Sequence, residues 1–507
     1  VLFSCRKIGG QAVGRNKTNF VDLCQGEFGR KTAYTGVDQI TPQNVAQVLS
    51  DTIGIHNRNR TLMDYLYRYY KGDQPILYRE KLVRPEVNNK VVENHALETV
   101  KFKAGQIYGE PIQYVCKKKK ASEKTNEQVD RLNDYLDEAN ADARNIQLGI
   151  YQSAVGTAYK AILREDEWTK DGDLPPFRIF IPCPWDAYIV YSSGNGKPML
   201  SVQILKNEDN QQYYLCYSSK MYFKIQNGKV TESGINGFGG IPIVEYPNNH
   251  DRLSDIEIAI TMYDAINKYQ SDRLNGVEQF VQALMKFKNC EIDEAEFVKM
   301  IKLGAVSVKD VGNGTQSDVD LMTAELNQSE SQVAKDDIYN NMLIVEAMPN
   351  RQSNTGGDTG NAVYLRNGWD FAERDAKLVE AFTKEAEKAT ARIILNIIRK
   401  TSMDVNISTK DFDVKITRNP TDNMLVKAQA LDYLFKNKIH PLIALITCGL
   451  FSDPQKVYEM SLPYLGTIYP ELASPDAEMQ KAQELIKDFS QKSIQNQSAT
   501  ISSTGEE

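Results

Sequence analysis

The chain has 507 residues, enough for two to four domains, and its 41% hydrophobic and 25% charged residues are the mix of a folding globular protein. A formal net charge of −7 excludes a general nucleic-acid coating protein, which carries a basic surface, but not a wall past which nucleic acid slides without being held. Seven scattered cysteines without a CxxC pair, and apolar runs far below the roughly 18 residues of a membrane span, point to reduced thiols and to assembly in a cytosol, away from any membrane.

In chain order, residues 1–40 carry Gly, Asn, Gln and Thr without a sustained period and are expected to be partly or wholly disordered when unbound. Helical patterning runs from Thr41 to Tyr70 and meets a turn at Lys71-Gly72-Asp73. Asn88–His95 leads into a helix ending near Gly109, and a short strand follows at Pro111–Cys116. After the Lys117–Lys120 run, Asn126–Val155 reads as one helix or two. From Thr157 the hydrophobic period switches to two, giving strands at Tyr159–Arg164, Phe177–Pro182, Ala187–Tyr191, Leu200–Lys206, Gln212–Ser218 and Met221–Gln226. Asn227-Gly228 supplies the two positive-φ residues of a type I′ hairpin, and Gly237–Gly240 with Pro242 closes the β region.

Ser254-Asp255-Ile256-Glu257 matches a capping box and predicts a helix over Ser254–Phe280, with apolar residues broader than one stripe, as in a subunit contact. Residues 281–326 read as a small subdomain with a helix at Asp293–Leu303, a strand at Ala305–Lys309 and a Gly-Asn-Gly turn. A second helix is expected over Asn327–Ala347. A small, polar, flexible loop follows, reading Pro349-Asn350-Arg351-Gln352-Ser353-Asn354-Thr355-Gly356-Gly357-Asp358-Thr359-Gly360. From Ala362 a three-and-four spacing through Trp369, Ala376, Ala386 and Ile397 predicts a helix of roughly 55–60 Å. Strands near Val405–Ile407 and Phe412–Ile416 precede a helical region from Asn423 to about Phe489 and a Ser/Gln/Thr-rich tail over 487–507, expected to be disordered. The whole reads as a helix-dominated α+β protein.

Catalytic signatures are missing from the sequence. There is no G-x-x-x-x-G-K-[ST] phosphate cradle, no G-x-S-x-G and no Cys/His constellation. His56, His95, His250 and His440 stand far apart and without metal-ligand spacing, so no metal, cofactor or catalytic residue is assigned. Asn249-His250-Asp251 reads as a loop bonded to the following cap. Asp336-Asp337 and Glu385/Glu387 are ordinary carboxylates of solvated helix faces, and the lysine run is a solvated loop before it is a phosphate patch.

Several phrases and their order resemble the portal (head–tail connector) proteins of long-tailed bacteriophages. They are Tyr69-Tyr70-Lys71-Gly72-Asp73-Gln74-Pro75-Ile76, Asn88-Asn89-Lys90 with the helix to Gly109-Glu110-Pro111, and Gly239-Gly240-Ile241-Pro242-Ile243-Val244-Glu245-Tyr246 with Asn248 and the helix from Ser254. The similarity spans roughly residues 40–470. It implies a dodecameric ring at one capsid vertex of the virion, assembled in the host cytoplasm. Through that ring double-stranded DNA enters during packaging and leaves at ejection.

By segment, the resemblance implies a flexible 1–40, a wing over 41–253, stem helices at 254–280 and 327–349, and a clip at 281–326. It further implies a tunnel loop at 350–361, a long wing helix at 362–402, wing strands at 403–422, a helical crown at 423–486 and a tail from 487. Implied partners are further copies of the chain, the terminase large subunit, major capsid and scaffolding proteins, and a head-completion adaptor. Arg351, Gln352, Ser353, Asn354, Thr355, Gly356, Gly357, Asp358, Thr359 and Gly360 would touch DNA lightly, and Lys268, Arg273 and Lys335 are candidates to face the channel or to bridge subunits. A head–tail adaptor or minor capsid protein, and a DNA-processing nuclease, are the competing readings.

Overall fold

The computed structural model describes residues 18–82, 85–117, 122–169, 174–281, 284–288, 293, 298, 318–322, 328–350, 368–418, 424–448, 450–451 and 454–465. These form two compact units, divided at Arg418/Asn419.

The first unit begins with α1 (Phe20–Cys24) and β1 (Ala33–Thr35). Phe20 and Cys24 are fully buried, and β1 lies parallel to a later strand, so the order expected to be lacking over 1–40 is present from Phe20 onward. Two apolar anchors and one strand pairing hold a segment whose composition gave no periodic signal. α2 (Val45–Tyr70) and α3 (His95–Tyr108) follow, then β2 (Gln113–Cys116) and the consecutive helices α4 (Glu123–Glu138) and α5 (Ala141–Val155), broken at Asn140 by a left-handed backbone.

The β region then runs β3 (Thr157–Arg164), β4 (Phe177–Phe180), β5 (Ala187–Ser192), β6 (Pro198–Lys206), β7 (Gln212–Tyr217), β8 (Met221–Gln226), β9 (Lys229–Ile235) and β10 (Ile243–Pro247). Asn227 and Gly228 have φ of 51° and 72°, as the β8–β9 hairpin requires. One sheet has the order β1-β5-β6-β7-β8-β9, all antiparallel except the β1–β5 edge. A second has the order β10-β3-β4. The region is therefore built of two sheets. It does not close at Pro242, because β10 returns to pair with β3.

Next come α6 (Ile260–Val281), the hairpin of β11 (Leu284–Lys288) with β12 (Asp318–Met322), α7 (Gln328–Val345) and α8 (Trp369–Lys400). The helix and strand expected at Asp293–Leu303 and Ala305–Lys309 lie outside the described residues, apart from single positions. The described length of α8, 32 residues, spans about 48 Å, and its expected first turns fall among residues not described. Val405–Ile407 forms no strand, whereas β13 (Phe412–Lys415) pairs with β2.

Helix α6 starts six residues after Ser254 rather than at it, with a turn over 255–258. Half of the expected capping box forms, since Ser254 N–H donates to Glu257 Oε1 at 2.8 Å. The serine hydroxyl, however, donates to Ser153 O and Ala154 O at 3.0 and 2.8 Å, closing the last carbonyls of α5. Its oxygen still accepts locally, from Ile256 N–H at 3.2 Å, so the serine ties the turn before α6 to the end of α5.

Three apolar cores organise this unit. One joins α8 to α4, α5, β3, β4 and β13; a second joins α1, α2, α3, α6 and α7; the third lies under the six-stranded sheet. Within the first, Glu387 of α8 is buried rather than on the solvated face expected for it, because it accepts from Tyr114 Oη and Tyr246 Oη, each at 3.0 Å, and pairs with Lys160 Nζ. The described cysteines are free thiols.

The second unit contains α9 (Met424–Lys436), α10 (Pro441–Cys448) and α11 (Pro454–Leu465). Among its described residues Pro441, Leu442, Ala444 and Leu445 are buried, and the His440 and Tyr458 rings lie 5.8 Å apart.

Candidate functional site

Helices α6 and α7 run antiparallel. Tyr263 faces Glu346 near one end, Gln270 faces Lys335 midway, and Arg273 donates to Gln332 further along. An extended segment, residues 88–94, lies along α6 as a strap. Asn267 Oδ1 accepts from Glu93 N–H at 2.8 Å, Ser271 Oγ from Val91 N–H at 3.0 Å, and Asn275 Oδ1 from Asn89 N–H at 2.7 Å. The geometry follows from two repeats. Four helical residues advance about 6 Å, and two extended residues advance about 6.6 Å, so polar residues at i, i+4 and i+8 meet every second N–H of an antiparallel extended chain. Asn267, Ser271 and Asn275 are buried, and burial makes each of these bonds costly to lose.

The strap ends are fastened separately. Arg79 donates to Asp272 at 2.7 Å and to Asn89 O at 3.0 Å, and Asn89 Nδ2 donates to Glu278 at 2.8 Å. At the other end Asn94 caps α3 by accepting from Leu97 N–H at 3.2 Å, while its amide donates to Tyr70 O at 2.9 Å. Two of the phrases that carried the resemblance, Tyr69–Ile76 and Asn88–Lys90, therefore lie in segments that bind the helix pair to the body.

Charge concentrates where strap and α7 meet. Lys335 Nζ donates to Glu93 at 2.6 Å, and His95 lies between Glu93 (3.3 Å) and Glu98 (3.1 Å) with its ring 4.8 Å from that of Tyr339. Burial alone would lower the His95 pKa, but the hydrogen bonds to Glu93 and Glu98 outweigh it and lift it to about 9. The His95 bond in turn holds the Glu93 carboxyl below its usual range.

At the end of α7, Glu346 accepts from Thr99 Oγ1 of α3 at 2.9 Å and from Tyr263 of α6. Burial pushes its pKa up to about 8 against the opposing effect of those two bonds. At the next residue of α6, burial likewise raises Asp264 to about 6, although Tyr69 Oη donates to it at 2.8 Å.

Of the three cations expected to face a channel, Lys335 and Arg273 are engaged within the chain, with Glu93 and Gln332 respectively. Lys268 is exposed and makes no ion pair among the described residues. Residues 351–360 lie outside the described residues. The last described position before them, Asn350, donates to Asn340 at 2.9 Å. Lys117 N–H donates to Asp411 O, and Lys118–Lys120 are not described. The loop around His250 is bonded to the turn after it as expected, with Leu253 N–H donating to Asn249 Oδ1 at 2.8 Å. Among the described residues no three His, Cys, Asp or Glu side chains gather as metal ligands, and no helix is long and apolar enough to cross a membrane.

The strap was not anticipated from the sequence. Its signal was there, as three small polar residues at helical spacing, Asn267, Ser271 and Asn275, inside a helix otherwise rich in apolar side chains.

The body is helix-dominated α+β and carries an antiparallel helix pair lashed down by polar side chains. The chain belongs to the family described as phage portal protein, SPP1 Gp6-like, whose model it matches over residues 49–488. No curated protein matches it. Among solved structures, a chain of the "Neck of native GTA particle computed with C12 symmetry" is 12% identical, with 77% of this chain and 93% of that chain covered and a TM-score of 0.44.

Proposed function

We propose that this portal protein assembles as a closed, dodecameric ring at one capsid vertex of the virion and serves there as the conduit for double-stranded DNA in packaging and ejection. In this reading α6 and α7 are the stem, residues 281–326 the clip that meets the terminase and later a head-completion adaptor, and 41–253 the wing. The region containing α8 (362–402) is the helix bridging the wing, 350–361 is the tunnel loop, and 423–486 is the crown.

The observation that carries the reading is the outward face of the helix pair. Its inner side is taken up by the strap and core, yet Tyr269, Leu274 and Val277 of α6 and Val333, Ile344 and Val345 of α7 are exposed by 41–75%. Apolar surface left over on a helix already packed suits a neighbour copy in a ring closed by heterologous contacts. The net charge of −7 suits a passage that must not hold phosphate tightly.

Native mass spectrometry with negative-stain imaging of the purified chain tests the ring, with closed assemblies of about twelve subunits around a hole expected. A monomer that stays monomeric with scaffolding and capsid proteins present would sink the reading. Deleting residues 353–360 tests the loop: rings should form and DNA packaging should fall, and normal packaging would remove the loop from the mechanism.

A further inference from the structure

Residues 29–31 are clamped into the body by backbone and side chain together. Arg30 N–H donates to Asp251 O at 3.1 Å, Lys31 N–H donates to Asn59 Oδ1 at 3.0 Å, and Asn59 Nδ2 donates back to Lys31 O at 2.7 Å. The Arg30 side chain is buried and pairs through Nη2 with Glu257, itself buried. Its other two nitrogens, Nε and Nη1, are buried and have no acceptor among the described residues. Arg30 lines a cavity of about 20 Å³, walled also by Asn59, Thr157, Tyr159, Glu245 and Arg252.

We infer that this cavity is a built hydration site, occupied by ordered water that accepts from the Arg30 guanidinium and fastens residues 29–31 to the β3–β10 sheet. Three observations converge on water. A buried guanidinium N–H without an acceptor costs a large part of its solvation, so an acceptor is required. The space suits one water, for which about 10–15 Å³ is the threshold, and its walls set polar groups of Arg30, Asn59, Thr157 and Glu245 among apolar ones such as Ile55 and Ile189. The charges around it are each paired, and Lys31, also on the wall, turns its ammonium to Glu27 at 2.7 Å. Arg30 faces Glu257, Arg252 grips Glu245 with bonds of 2.7 and 3.0 Å, and His56 on the wall is neutral at pH 7 because burial lowers its pKa to about 4. A bound anion would place an uncompensated charge in this low-dielectric space, whereas water would not.

The test is an experimental density map of the full-length assembly, fine enough to show other buried waters, with a second data set from bromide-soaked crystals. An oxygen-sized peak within hydrogen-bond distance of Arg30 Nε or Nη1, with no anomalous bromide signal, is the expected result. An empty cavity beside clearly resolved buried waters elsewhere would overturn the inference. So would an anomalous bromide peak in the cavity, which would make it an anion site.

Discussion

Thr99 of α3 and Glu346 at the end of α7 are joined by a 2.9 Å hydrogen bond across 247 positions of sequence, and Tyr263 of α6 closes the same carboxylate from the other side. Three helices meet on one buried acid with no cation bonded to it. This makes the junction sensitive to proton concentration.

The Glu346 pKa is near 4.5 when unfolded and about 8 when folded. Its contribution to stability is therefore full below about pH 4.5 and lost as pH rises through 8. Asp264, raised from 3.8 to about 6, and His95, raised from 6.5 to about 9, act in the same direction over pH 4–6 and 6.5–9. Glu346→Gln should flatten the decline between about pH 5 and 8 and leave the variant more stable than the parent above pH 8, by roughly 2–4 kcal/mol. Urea unfolding across that range checks this, and parallel pH profiles for the two proteins would refute it.

Ser271→Ala removes the acceptor for Val91 N–H. The expected cost is about 1–2 kcal/mol, the usual penalty for a buried donor left unpaired. Asn275→Leu should cost more, because Asn275 Oδ1 accepts from both the N–H and the side-chain amide of Asn89. Amide exchange separates strap loss from general destabilisation: Asn89 and Val91 should exchange faster while amides of the six-stranded sheet keep their rates.

Lys160 and Glu387 are 2% and 3% exposed. Lys160→Met strands a buried carboxylate and should destabilise by roughly 3–5 kcal/mol. The double variant Lys160→Met/Glu387→Leu should recover much of that loss, a non-additivity read from the four melting curves of a mutant cycle.

Gly156 ends α5 with φ of +85°, and a Cβ there would sit 2.0 Å from Arg252 O. Gly156→Ala should cost more than about 2 kcal/mol, because backbone strain and a clash with main chain act together. Gly54, inside α2 with open space where a Cβ would point, is the control. Gly54→Ala should gain about 0.5–1 kcal/mol from helix propensity alone. Thermal denaturation of both variants gives the comparison.

Much of this architecture was legible in the residues. The period of 3.6 marked α2, α6, α7 and α8, the period of two marked β3 to β8, and Asn227-Gly228 marked the hairpin, because each signal is local. What escaped was set by distant partners. α1 and β1 are too short to show a period and are held by Tyr65 and β5. Ser254, read as the cap of α6, instead ties the turn before that helix to the end of α5. Lys335, a lone cation on a helix in the sequence, turned out to answer Glu93, 242 positions away. The loop 351–360, legible as small and polar, lies outside the described residues.

The strap has one further consequence. Because the acceptors on α6 repeat about every helical turn and the donors of the strap every second residue, a slip of one residue would turn the N–H groups to the opposite edge of the strap and break all three bonds at once. The next matching register is a full turn of α6 away, about 6 Å. The helix pair is thus indexed against the body in discrete steps, and a push along its axis meets a detent instead of a gradual yield.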